Sequence, residues 1–327
     1  MISAGIDAGT ESYCIVAIED EEVVYEIEIP TTKVRQNPEI VIENLRECGA
    51  EIAAGLSGYG LPIKKFSELD DVDIFLMTLN FEPEQRVGLR RIIEKIKELD
   101  YDLYTIPGVI HLQTIPRWRK INKIDVGTYD KLCSAVLAVY QLSKGASFEN
   151  LNFVLAEIGH FNSFLAIKNG KIVDGIGGSS GFPGYGSIGS LDSELAYLLG
   201  EFPKKLIYSD GLKDYDWDVL AEYVLKGLRS VEVSIGKADL CMLSGRFAAE
   251  VKEYIEEFYE VEILKGFGKG KQSAQGAAII ANAIGGGKFK NLVRRMDIFN
   301  AKGTVFDYIT QDVMKFLKLG MERRVRF

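Results

Sequence analysis

The sequence predicts an α/β protein made of two halves built on one plan. Three observations point to it. A β-hairpin opens the chain and is followed by short apolar segments and amphipathic helical ones. The order strand, acidic turn, strand, polar turn, strand then starts again at Asn152. Each half opens on an acidic-x-Gly turn, Asp7-Ala8-Gly9 and Glu157-Ile158-Gly159, 150 positions apart (157 − 7). Side-chain identities between the halves are few, and two hairpins can also match by chance. The repeat therefore rests on pattern, which reads without a gap from Asp7/Glu157 through Val23/Val173.

The elements follow in order. Ile2 to Ile18 is apolar and β-branched, broken at Asp7 to Ser12; Glu19 to Glu22 is a polar turn, and Val23 to Ile29 alternates apolar and acidic, as a strand open to water on one face does. Asn37-Pro38 starts a helix reaching Cys48. Glu51 to Ser57 and Val72 to Leu79 read as short buried strands, Glu84 to Leu99 as an amphipathic helix, and Leu103 to Leu112 as a strand containing Pro107-Gly108. Lys131 to Leu142 has little polar relief and reads as a buried helix. In the second half, Phe153 to Ala156, Ser163 to Lys168 and Lys171 to Ile176 are strands, the last two joined by the tight turn Asn169-Gly170. A glycine-rich loop runs from Gly175 to Gly189. Helices are expected over Asp192 to Leu199, Asp218 to Ile235, Ala248 to Tyr259, Ser273 to Ile284 and Val305 to Leu319, and strands over Ala238 to Leu243 and Val261 to Leu264.

A chain of 327 residues has room for two domains. The expected division is 1–145 and 146–327, with the C-terminal helix packing back on the first. Apolar residues at 47% and charged residues at 26% are those of a globular protein. No apolar run reaches the roughly 18 residues that span a bilayer, and the N-terminus has no basic region of a signal peptide. Cys14, Cys48, Cys133 and Cys241 are scattered among apolar neighbours without metal or redox spacing, so reduced core thiols and a cytoplasmic setting are expected. A net charge of −8 argues against a nucleic-acid or membrane-surface partner. Arg117-Trp118-Arg119-Lys120 with Lys123 is a candidate anion-contacting loop, and Arg323-Arg324-Val325-Arg326 reads as a solvated helix end.

The first turn, Gly5-Ile6-Asp7-Ala8-Gly9-Thr10, suits a phosphate. Gly9 admits close backbone approach, successive amides and the Thr10 hydroxyl can donate to phosphate oxygens, and Asp7 can hold the water shell of Mg²⁺. On the opposite wall, Gly159, His160, Asn162 and Ser163 can act likewise, or merely satisfy their own turn. Ser244-Gly245-Arg246, between a strand and a helix, leaves flat backbone on which an adenosine can lie. In the glycine-rich loop, Gly178, Ser179, Gly181 and Ser187 are the candidate substrate contacts.

The order of these pieces resembles the acetate and butyrate kinases of the sugar kinase/Hsp70/actin superfamily over most of the chain, and is similar to an archaeal butyrate-kinase-like family. Gly127-Thr128-Tyr129-Asp130-Lys131 looks like their Gly-Thr-Ser-His-Lys segment, Phe153 to Asp174 like their second phosphate hairpin, Met242 to Arg246 like their adenosine motif, and Gly276-Ala277-Ala278 like their closing helix. The resemblance implies two duplicated ribonuclease-H-like domains, the actin-like ATPase fold, flanking a nucleotide cleft. It implies ATP and Mg²⁺ as cofactors, a small-molecule substrate and a cytoplasmic kinase, and it allows a homodimer. Asp7, Asp130, Lys131 and Glu157 become the candidate catalytic residues. Asp7 is the metal ligand, Asp130 the base for a hydroxyl acceptor, and Lys131, Arg117 and Arg246 the candidate cations for the transferred phosphoryl group. The departures are Glu157-Ile158-Gly159 for His-Leu-Gly, Asp130 for a histidine, Arg246 for a glycine, and Ser187-Ile188 where a loop arginine is usual. They bear on acyl-phosphate chemistry more than on nucleotide binding. An ATP-binding regulatory protein of the same fold is the alternative. A metal hydrolase lacks paired histidines, since His111 and His160 stand 49 positions apart (160 − 111).

Overall fold

The computed structural model describes residues 1–81 and 83–325; Arg326, in the basic tail, lies outside them. β1 (Ile2–Ala8), β2 (Ser12–Glu19) and β3 (Glu22–Pro30) form an antiparallel meander. After α1 (Thr31–Gln36) and α2 (Ile40–Glu47), β4 (Ile52–Gly55) returns parallel to β1. Then come α3 (Asp71–Thr78), α4 (Pro83–Leu99), the short β5 (Leu103–Tyr104) beside β4, and α5 (Tyr129–Leu142). The second half repeats the meander in β6 (Phe153–Ile158), β7 (Asn162–Lys168) and β8 (Lys171–Ile176). It continues through α6 (Ser193–Leu199), α7 (Trp217–Glu232), β9 (Leu240–Ser244), α8 (Ala248–Glu256), β10 (Val261–Ile263), α9 (Gln272–Ile284), α10 (Lys290–Arg295) and α11 (Gln311–Val325). The sheet orders are β3-β2-β1-β4-β5 and β8-β7-β6-β9-β10, the same arrangement twice.

The likeness of the halves extends to a single-residue irregularity. β2 shifts register on β3 between Ala17 and Ile18, and β7 shifts on β8 between Ala166 and Ile167. These bulges are 149 positions apart (166 − 17), whereas Asp7 and Glu157 are 150 apart. The ungapped match expected from the sequence is thus corrected by one residue. The first turn runs from Gly9 to Ser12 and the second from Gly159 to Phe161. A polar turn has no periodicity, so its length could not be read from pattern.

Three expected elements differ. Val72 to Leu79 is the helix α3, because Asp70 and Asp73 form a reciprocal capping box at its start. An apolar run of that length does not by itself separate strand from helix. Of Leu103 to Leu112 only two residues pair in a sheet; Pro107 lacks an amide to donate, and the chain turns into a 3₁₀ segment at Val109–His111. The last helix begins at Gln311. Val305 is instead buried, in a turn where Asp307 accepts from the Thr304 amide and hydroxyl.

The sheets lie in layers. Leu155, Leu165 and Met242 of the second sheet share the large core that contains α5, α9 and the first sheet. The alternate residues Val154, Ala156, Cys241 and Leu243 pack with Leu220, Val224 and Val251 of α7 and α8. α5 and α9 cross closely at Gly276, where a Cβ would stand 1.9 Å from Cys133 O, and α9 lies on β1 at Gly5, where a Cβ would stand 2.0 Å from Ala274 O. This crossing brings the end of β1, the start of α5 and the start of α9 together.

Candidate active site

Asp7 closes β1 and is buried. Tyr129, at the first turn of α5, accepts from the Ala8 amide at 2.8 Å and donates to Ile6 O at 3.1 Å, so it pins that strand end to the helix. One residue on, Asp130 accepts from Thr128 Oγ1 and from Lys131 Nζ, the latter at 2.6 Å. Lys131 Nζ also reaches Glu157 Oε1 at 2.5 Å, and Ser134 Oγ donates to Glu157 Oε2 at 2.6 Å. Glu157 faces Ser163 on β7 and Ser244 on β9 across the sheet register. A lysine at the start of α5, in the first half, thus reaches the acidic residue of the second half's turn.

The electrostatics follow from burial. Burial pushes the Asp7 carboxyl up, against the pull of Lys271, and the Glu157 carboxyl up, against the pull of Lys131. Asp130 is also raised by burial, but the Lys131 charge and the bonds from Lys131 and Thr128 outweigh this and hold it below the usual range. Burial alone would lower Lys131; the two carboxylates beside it raise it, so it stays charged. The Cys133 thiol is pushed well up, first by burial and then by the charges of Asp130, Asp7 and Glu157.

Lys271, unremarked in the sequence reading, completes the cluster. Its Nζ lies 3.1 Å from Asp7 Oδ2 and 2.7 Å from Ser12 O. Thr128, Tyr129 and Ser134 were likewise missed as site residues. A Gly-x-Gly-x-Gly-Lys string ahead of an Ala-rich helix was the signal for Lys271.

The turns are less free than the sequence implies. The Gly9 and Gly159 amides are used within their own turns, on Ser12 O at 3.1 Å and Phe161 O at 3.0 Å. Within these two turns, the amides of Thr10, Glu11, His160 and Phe161 make no intramolecular backbone bond. A Cβ on Gly159 would meet only Phe161 O, at 3.7 Å, so the space above it is open. Gly245 has φ +91° and would drive a Cβ to 2.4 Å from Ile158 O, which keeps this turn flat. Arg246 leaves it to pair with Glu11 of the first turn, so all three turns meet.

Several candidates serve the glycine-rich loop instead. His160 Nε2 lies 3.2 Å from Tyr208 O, and Asn162 Nδ2 donates to Pro183 O at 3.1 Å. Ser163 is buried within β7. The Ser179 amide and hydroxyl both donate to Asp125 Oδ2, Gly178 packs on Phe161, Gly181 O accepts the Ser190 amide, and buried Ser187 donates to Ile207 O. The loop is fastened along its length. Arg117 sits 5.7 Å from the centre of the Tyr308 ring, and Lys120 is buried, donating to Leu112 O and the Tyr308 hydroxyl. Arg119 and Lys123 line a separate cavity of about 340 Å³ with Asp174, Ser180, Phe182 and Ser190. The structure does not bring Arg117 to the carboxylates, so it is not one of their cations.

Solved structures share this fold. An acetate kinase from Entamoeba histolytica is 15% identical, with a TM-score of 0.56 over 79% of this chain and 87% of that one. One from Porphyromonas gingivalis is 12% identical, at 0.55 over 84% and 97%, and a propionate kinase from Francisella tularensis is 11% identical, at 0.57 over 84% and 98%. At these identities the likeness is one of fold, and the fold is the duplicated actin-like ATPase fold. No curated protein matches the sequence. A family model matches residues 5–311, from the strand before the first acidic turn to the start of α11, and the chain belongs to that family, described as a protein of unknown function, DUF1464.

Proposed function

We propose that the chain is an ATP-dependent phosphotransferase acting on a small molecule, with a short-chain carboxylate as the acceptor. One observation carries the reading: where the two duplicated turns and the Ser244-Gly245 turn meet, Asp130 and Glu157 clasp Lys131 and the buried Asp7 pairs with Lys271. Such a cluster at strand ends and helix starts suits positioning and charge neutralisation, the main work of phosphoryl transfer. The unbonded amides of Thr10, Glu11, His160 and Phe161 are donors for phosphate oxygens, and the flat turn at Gly245 suits a nucleoside.

The acceptor follows from the base. Asp130 is held below the usual carboxylate range and both its oxygens are engaged, which makes it a weak base. His160 is committed to Tyr208 O, and His111 is buried elsewhere. A carboxylate is already a nucleophile and needs no base. Domain closure over it would exclude water.

Among the described residues no three of His, Cys, Asp or Glu are grouped to hold a metal by themselves. Mg²⁺ carried by nucleotide phosphates needs only one or two carboxylates, and Asp7, facing the first turn, fits that role. When bound, the ion would neutralise phosphate charge. A cytoplasmic setting agrees with four buried free thiols. The division at 145/146 and the butyrate-kinase-like assignment belong to the same reading, as does a small molecule rather than nucleic acid or membrane as partner.

The fastened glycine-rich loop, which carries no arginine, favours a second reading: an ATP-binding regulatory protein without a metabolite acceptor. Calorimetric ATP binding and ADP release, measured with a panel of carboxylic acids and alcohols, separate the two. Acceptor-dependent ADP release supports the kinase. Binding without it supports the regulatory protein, and no binding of ATP sinks both.

A further inference from the structure

The segment Gly266-Phe267-Gly268-Lys269-Gly270-Lys271 precedes α9. Its amides are turned inward. Phe267 and Gly268 donate to Oε1 of the fully buried Gln275, whose Nε2 donates back to Gly270 O at 2.5 Å. Lys269 and Gly270 both donate to Glu26 Oε2, at 2.9 and 2.8 Å, and the Lys271 amide lies 3.3 Å from Cys14 Sγ. A carboxylate of β3 and an amide of α9 thus hold the loop at both ends, and the Lys271 side chain is delivered into the first turn. There its Nζ stands 2.7 Å from where a Cβ on Gly9 would be. It occupies the space beside the backbone that a phosphate would approach.

The cluster holds two kinds of lysine. Lys131 is clasped by two carboxylates, and its side chain is 14% exposed. Lys271 has one carboxylate, at 3.1 Å, and one carbonyl, and its side chain is 30% exposed. Three carboxyl groups, Asp7, Asp130 and Glu157, stand against these two ammonium groups. A triphosphate entering beside carboxylates needs a cation that can turn to meet it, and of the two lysines Lys271 is the one with room to do so.

We propose that Lys271 exchanges partners when nucleotide binds. In the free protein it neutralises Asp7. When phosphates enter the first turn, its ammonium passes to a phosphate oxygen and leaves the Asp7 carboxylate free for the cation that the phosphates carry. This rests on the reading of the cleft as a nucleotide site.

The test is a double-mutant cycle of Asp7→Asn and Lys271→Met, with Lys271→Arg as the charge-conserving control. Urea unfolding without ligand measures the Asp7–Lys271 coupling in the free protein, and calorimetry with AMPPNP and Mg²⁺ measures how binding changes it. Exchange predicts coupling in the free protein and non-additive losses of AMPPNP affinity. Lys271→Met should weaken AMPPNP about tenfold or more, and Lys271→Arg by less than about threefold, as loss and retention of a charge-assisted bond imply. Wild-type binding with an unaffected Lys271→Met, or additive losses, overturns the exchange alone. Wild type that binds no AMPPNP overturns the nucleotide reading and the exchange with it.

Discussion

Asp7 and Lys131 show how burial sets the value of a charge. Asp7 is raised by burial yet lies beside an ammonium, so it can change partner without leaving a stranded charge. Asp7→Ala is expected to abolish Mg²⁺-dependent turnover while far-UV circular dichroism shows the fold intact. Unchanged turnover would remove Asp7 from the chemistry. Lys131 is different, because its removal strands Asp130 and Glu157 together. Lys131→Met should lower the unfolding free energy by about 3–5 kcal/mol at neutral pH, read by urea titration. A loss within 1 kcal/mol would mean that solvent reaches the pair. The acidic members of the site were legible in the sequence, since Asp7 and Glu157 sit in glycine turns at strand ends and Asp130 in the Gly127-Thr128-Tyr129-Asp130-Lys131 segment that opens a helix. Lys271 was not, because its partner Asp7 is 264 positions away (271 − 7) and only the docking of α9 joins them.

At the scale of elements, α9 is the piece on which the site depends. It touches β1 through Gly5 and α5 through Gly276, and a Cβ at either glycine would overlap backbone. Gly276→Ala should destabilise the protein by about 1–3 kcal/mol through overpacking, and should weaken ATP binding as the start of α9 moves from the first turn. Wild-type stability in that variant would show that the helices can part. α3 illustrates the limit of periodicity. Its apolar run passes for a strand, and only the Asp70/Asp73 capping box marks it as a helix. Asp70→Ala should cost about 1 kcal/mol in urea unfolding; no loss would mean that packing alone sets the helix.

For the whole molecule, the C-terminal segment ties the layers together. The Lys302 amide donates to His111 O, Asn122 Oδ1 accepts from Thr310, and the Lys120 ammonium lies against the Tyr308 ring. Burial pushes His111 down to about 4. The unfolded chain therefore takes a proton near pH 6.5 that the folded chain refuses until about pH 4, and stability falls as pH drops through that window. Relative to His111→Gln, wild type should lose up to about 3 kcal/mol between these limits. Parallel pH dependence of the two proteins would show that His111 is hydrated. Lys120, lowered by burial to about 8, acts in the same direction at higher pH: its cost is present below pH 8 and is relieved as pH rises toward 10.5.

The sequence by itself determined the α/β class, the two restarting hairpins, the acidic glycine turns and the alternation that sends β3 to solvent, because each is written in neighbouring residues. Tertiary structure alone decided which turn amides remain free, that the glycine-rich loop is fastened to Asp125, Asn162 and Ile207, and that Lys131 and Lys271 supply the cluster's cations. These depend on where α5, α9 and the loops dock, and docking is set by close packing between distant segments, which local pattern does not record.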